Sequence, residues 1–190
     1  MESDSILPQL LLQLVLIAVN ALFAATEIAV ISLNETKVRR MAEGGDRKAA
    51  KMLRMVTEPT GFLSTIQICI TLAGFLGSAF AADNFSDKLV NWLINDCEVS
   101  GVSPSALDTI SVIIITLVLS YFTLVLGELV PKRIAMKRPE GIARAVSGLM
   151  IGMTTVLRPV IWLLTVSTNG VLRLCGIDPK DNAEEVSEEE

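Results

Sequence analysis

Hydrophobic positions in this chain gather into long runs, with polar residues scattered singly inside them. Ile6–Leu33 is apolar apart from Pro8, Gln9, Gln13, Asn20, Thr26, Glu27 and Ser32. Gly61–Ala82 carries no formal charge, and Leu107–Val130 is charged only at Asp108 and Glu128. Each run supplies the roughly 20 residues a helix needs to cross ~30 Å of hydrocarbon. The pattern predicts transmembrane helices over 6–33, 61–82 and 107–130. A signal peptide does not fit the first run, which is too long and is preceded by Glu2 and Asp4 rather than by bases.

A fourth apolar stretch, Ala143–Cys175, is divided by Arg158-Pro159. Proline removes a helix hydrogen bond, and an arginine at mid-bilayer is costly. The halves Ala145–Leu157 and Val160–Leu172 would each reach only about 20 Å as helix, short of a crossing. The reading favoured is a juxtamembrane helical hairpin or belt over 143–175, with Arg144, Arg158 and Arg173 near lipid headgroups. A tilted, kinked fourth span is the alternative, and it would put the acidic tail outside. The fold class is therefore an all-α membrane protein, with a transmembrane domain over residues 1–177.

Charge adds a topology. The net charge of −5 over 190 residues hides a tail, Asp178–Glu190, that contributes −6, so the rest sums to +1. Residues 35–59 hold seven bases against four acids, and residues 131–144 hold five bases against Glu140 alone. Residues 83–105 hold four acids against Lys88. Lysine and arginine concentrate on cytoplasmic flanks of spans. The blocks agree on an outside N-terminus, a cytoplasmic 35–59 segment, an outside 83–105 loop and a cytoplasmic C-terminus in the cell membrane. Basic blocks placed this way are topology signals, which argues against nucleic-acid binding.

Polar residues within the spans carry the candidate chemistry, because charge inside a bilayer is expensive and defaults to function. Asn20 and Glu27 lie seven residues apart, within about 20° on a helix. On the second run Ser64, Gln67, Thr71, Gly74 and Ser78 repeat at 3-4-3-4 spacing and form one polar, small-residue face. Such a face serves either as a helix-packing stripe or as a polar pathway. The third run ends Gly127-Glu128-Leu129-Val130-Pro131-Lys132. Pro131 leaves the Gly127 carbonyl without its usual helix donor, beside a carboxylate. That pair suits a hard cation, and Glu128 paired with Lys132 at i+4 is the competing reading. The chain has no histidine, and its three cysteines show no paired spacing, so oxygen ligation is the chemistry available. The missing histidine, with no nucleophile motif or phosphate loop, also argues against an enzyme.

The strings Asn20-Ala-Leu-Phe-Ala-Ala-Thr-Glu-Ile-Ala-Val-Ile-Ser-Leu-Asn34, Gln67-Ile-Cys-Ile-Thr-Leu-Ala-Gly74 and Leu126-Gly-Glu-Leu-Val-Pro-Lys-Arg133 resemble, in order and separation, three signatures of the CorB/CorC magnesium transporters, relatives of the cyclin-M proteins. The resemblance implies three transmembrane helices with a juxtamembrane belt, a homodimer, and Mg²⁺ efflux coupled to Na⁺. It also implies cytoplasmic CBS domains that bind ATP, toward which residues 178–190 would be an acidic linker. By position the implied metal ligands are Glu128, the Gly127 carbonyl, Thr71 and Thr26. Asn20, Glu27, Ser64 and Ser78 remain candidates for a second ion or for helix packing. The family's usual Phe-Ser-x-Ser-Glu is Phe23-Ala24-Ala25-Thr26-Glu27 here, and Ile70-Thr71 stands where many members have paired asparagines. These departures resemble a less typical branch once labelled haemolysin-related. The other function class is a membrane-anchored ion sensor or scaffold that moves nothing.

Overall fold

The computed structural model describes residues 6–95 and 104–176, all of them in helices or the short turns between them. The acidic tail 178–190 and Cys97 lie outside the described residues. The first span is α1 (Ile6–Ile31). The basic 35–59 segment folds into two short amphipathic helices, α2 (Glu35–Glu43) and α3 (Arg47–Thr57). Asn34 caps α2 by accepting from the Lys37 N–H at 2.9 Å. Asp46 caps α3 by accepting from Lys48 and Ala49 N–H groups at 2.9 and 3.3 Å. Between them Gly45 turns the chain at φ +90°, a conformation that side chains with a Cβ resist.

The second span belongs to α4 (Pro59–Asn95), which begins on a proline where a missing N–H costs nothing. Its membrane-crossing part is Pro59–Ala81. The helix runs on to Asn95, so most of the predicted 83–105 loop is helical extension instead of loop. A helix pairs its own backbone groups, so a polar segment outside lipid can continue one as readily as end it.

The third span also outruns its predicted end. α5 (Pro104–Leu124) passes into a single π turn at Val125–Leu129 and continues as α6 (Val130–Lys137). Pro131 does not stop it. The turn before has already widened, with the Val130 N–H donating to the Val125 carbonyl, and Pro131 enters α6 near its start.

The divided stretch is α7 (Pro139–Val156) and α8 (Arg158–Leu174), bent by 69° at their junction. Among the described residues, three helices are thus long and apolar enough to cross a membrane, and the bent pair is not one straight rod.

α1 is the centre of the bundle and packs on α4, α6, α7 and the π turn, while α4 packs on α5. One core joins Phe23 and Val30 of α1 to Met55, Phe62, Ile66, Val146 and Met150. A second core packs Ala29, Leu33, Val38, Met52, Ala135 and Ala143, whose small side chains bring α1, α6 and α7 close. Thr65 and Thr154 share a hydroxyl hydrogen bond of 3.0 Å that pins α4 to α7. α8 buries none of its own residues, and Trp162 is 67% exposed.

Candidate cation site

The π turn carries the site. A π turn adds a residue to one turn of helix and turns the following side chains out of α phase. It brings Gly127 against α1, where a Cβ would come within 3.2 Å of Asn20 Nδ2 and 3.4 Å of the Ile17 carbonyl. Only glycine lets the two helices approach this closely. Asn20, nearly fully buried, donates its Nδ2 to the Gly127 carbonyl at 3.0 Å.

That bond changes the expectation for Gly127. Its carbonyl lacks a helix donor, as Pro131 requires, but it is filled by the Asn20 amide. A buried carbonyl surrounded by apolar helices demands a donor, and Asn20 supplies one. Asn20 therefore acts at the third span, beside Glu128, and not with Glu27 as the seven-residue spacing suggests.

Glu27 and Glu128 meet through Lys132. The Lys132 ammonium lies 3.0 Å from Glu27 Oε2 and 2.9 Å from Glu128 Oε1. The i+4 pairing of Glu128 and Lys132 is present, and α1 adds a second carboxylate. The triad has a net formal charge of −1. Among the described residues no three carboxylates, cysteines or histidines gather into a cluster.

Two open cavities flank the triad. Thr71, Gly74 and Ser78 of α4 face Ser120, Thr123 and Glu128 of the third span around a cavity of about 330 Å³. Glu27, Ser64, Gln67, Thr71 and Thr168 line part of a second, of about 690 Å³, whose remaining walls are aliphatic. The polar face of α4 thus fronts both cavities, and Thr71 is common to the two. Gln67 Nε2 donates to Thr71 Oγ1 across a long 3.4 Å.

Of the predicted site residues, Glu128, Thr71 and Ser78 share one cavity, with Gly127 and Asn20 behind it. Glu27 and Ser64 line the other. Thr26 joins neither: it is fully buried and its hydroxyl donates to the Leu22 carbonyl at 2.7 Å. A mid-helix threonine commonly spends its proton this way. Ser120 and Thr123 join the site without a matching sequence expectation. Their spacing with Gly127, three and four residues along one helical face, is the available signal.

The profile of the cyclin M transmembrane N-terminal domain matches residues 11–190. A UPF0053 protein of Synechocystis sp., sll0260, is 37% identical over 190 residues, covering all of this chain and 41% of that protein. The polyamine export protein of Haemophilus influenzae is 29% identical over 159 residues, 84% of this chain and 36% of its own length. The UPF0053 inner membrane protein YfjD of Escherichia coli is 29% identical over 160 residues, 84% of this chain and 33% of its own. The chain spans less than half the length of each of these relatives.

Proposed function

The chain belongs to the cyclin M transmembrane N-terminal domain family, and from that premise we propose that it is the membrane domain of a cation exporter. The cargo is Mg²⁺ and the driving ion is Na⁺. Its orientation puts the N-terminus outside and the basic segments in the cytoplasm, with two copies forming a homodimer and ATP acting only through CBS domains of a longer protein. The observation that carries the reading is Glu128, set by the π turn at the wall of a cavity lined by the hydroxyls of Thr71, Ser78, Ser120 and Thr123. One carboxylate with neutral oxygens fits a hard cation that must be released again, since Mg²⁺ takes oxygen ligands and gives up water reluctantly.

In this mechanism the cation enters from the basic end, displaces the Lys132 ammonium from Glu128, and exchanges water for the hydroxyls of α4 and α5. The test is Mg²⁺ release from proteoliposomes containing a Mg²⁺-sensitive dye, with and without a Na⁺ gradient. Flux in the wild type that is lost in Glu128→Gln supports the reading. Flux equal in both overturns the site, and no flux in either favours the sensor or scaffold class.

A second cargo is favoured by the triad itself. An alkylammonium already sits between both carboxylates, as a polyamine's terminal amine would, and the Haemophilus influenzae relative bears the name of a polyamine exporter. Spermidine that competes with Mg²⁺ for release would select this reading.

A further inference from the structure

Three buried side-chain oxygens have no hydrogen-bond partner among the described residues: Asn20 Oδ1, Gln13 Oε1 and Ser111 Oγ. Their residues are 3%, 7% and 0% exposed. In a membrane domain such groups are costly, because neither lipid nor apolar neighbours can replace the missing bond. Three unrelated lapses would be unusual in one small bundle.

Their positions are related. Asn20 and Gln13 lie on one face of α1, about 10.5 Å apart along its axis and within about 20° around it. Asn20 is fixed at the level of Glu128 by its bond to Gly127, which also fixes which amide atom is the oxygen. Gln13 sits two turns further from the basic end, against Gly77 of α4, where a Cβ would come within 3.3 Å of its Nε2. It opens on a cavity of about 470 Å³ between α1, α4 and α5, which Ile114 and Val118 also line. Ser111 lies about one helical turn beyond Ile114 toward the same end. Past Gln13 in that direction, Gln9 is bonded to Asn84 and Lys88 at 3.2 and 2.6 Å, forming a polar mouth.

All three orphans can accept a hydrogen bond or ligate a cation, and they run in file from the carboxylate site toward that mouth. We propose that Asn20 Oδ1, Gln13 Oε1 and Ser111 Oγ are oxygen stations for a partly hydrated cation, forming the second half of its route between Glu128 and the Gln9–Asn84–Lys88 end. This rests on the export reading for its cargo, while its wetness is independent of it. The intervening aliphatic wall keeps the route narrow, and water or the passing ion supplies the bonds the fold leaves unmade. Gly77 gives the Gln13 amide its room.

Two measurements on the full chain in proteoliposomes test it. In the first, the Gln13→Cys and Leu14→Cys variants are treated with a membrane-impermeant cationic methanethiosulfonate, with the unsubstituted protein as blank. Leu14, 57% exposed on the opposite side of α1, reports the lipid face. The thiol of Gln13→Cys should react at least about tenfold faster than that of Leu14→Cys, since only the hydrated thiolate is the nucleophile, and Mg²⁺ should slow it. Equal rates overturn the proposal. In the second, Gln13→Leu removes an unpaired acceptor, so the protein should be no less stable to heat. Mg²⁺ release should fall by about tenfold, the worth of one lost ligand contact, while Mg²⁺ binding at Glu128 stays within about twofold. Unchanged release also overturns it. A wild type that moves no cation while the Gln13→Cys thiol still reacts would reject the export reading and keep the hydrated file.

Discussion

Replacing Lys132 with methionine keeps the aliphatic stem and removes the charge that Glu27 and Glu128 share. The ammonium lies 3.0 and 2.9 Å from the two carboxylates, so these are at most about 6 Å apart. At 3 Å and an effective dielectric of about 20, each contact has a gross attraction of roughly 5.5 kcal/mol. Lys132 is 27% exposed and the two carboxylates 25% and 36%, so hydration and screening offset most of that. What remains is about 1 kcal/mol per contact. An incoming cation must displace this tethered one, and the competition weakens its apparent binding by the same amount. Lys132→Met changes the formal charge of the triad from −1 to −2 and removes the competitor. Mg²⁺ should then bind about 5- to 30-fold more tightly, the equivalent of about 1–2 kcal/mol. Calorimetric titration of Mg²⁺ into the detergent-solubilised protein measures it. Tighter binding should also slow release. A folded Lys132→Met protein that binds Mg²⁺ no better than wild type would refute this reasoning, because it would mean the ammonium does not occupy the cation's place.

Gly127→Ala should push the π turn off α1, since its methyl meets the Asn20 amide and the Ile17 backbone. A loss of about 1–3 kcal/mol is expected in thermal or denaturant unfolding, the usual cost of overpacking, together with loss of Mg²⁺ binding. Asp46 should give the juxtamembrane helices an acid-sensitive contact. The Ala49 N–H, helped by the Lys48 N–H and by Arg144 at 2.8 Å, holds its carboxyl below the ordinary 3.8 despite some desolvation. Its stabilisation is complete above 3.8 and disappears as pH falls through the lowered value. Melting curves across that range should lose a step in Asp46→Asn, and identical pH profiles would reject this. Trp162, exposed on a helix that buries nothing, should be quenched by brominated lipid. Protection from quenching would instead put a second copy or another segment over α8.

The three spans are legible because bilayer thickness writes itself directly into the length of an apolar run. Their ends are not. Pro131-Lys132-Arg133 reads as a terminus, yet the widened turn before it lets the helix absorb the proline and run to Lys137. Asp83 and the polar residues after it read as a loop, although a charged segment outside lipid can equally remain helical. At the site, the 3-4-3-4 face of α4 is visible as periodicity, and it fronts both cavities. The contact between Lys132 and Glu27 is not visible, since it joins residues on α1 and α6 through packing that no local spacing encodes. Thr26 shows the opposite error. A hydroxyl at a signature position reads as a ligand, but a threonine inside a helix has a carbonyl of the preceding turn within reach.

The wide turn at Val125–Leu129 also decides which changes in chain length the third span can absorb. Deleting one residue from it would restore α geometry and rotate everything downstream by about 100° with a shift of about 1.5 Å. Lys132 would swing away from Glu27, and Ala135 would leave its seat against Ala143. An added residue between Leu129 and Ala135 would misalign the same contacts from the other side. The count of residues from Gly127 to Ala135 is therefore as much a part of the cation site as its carboxylates.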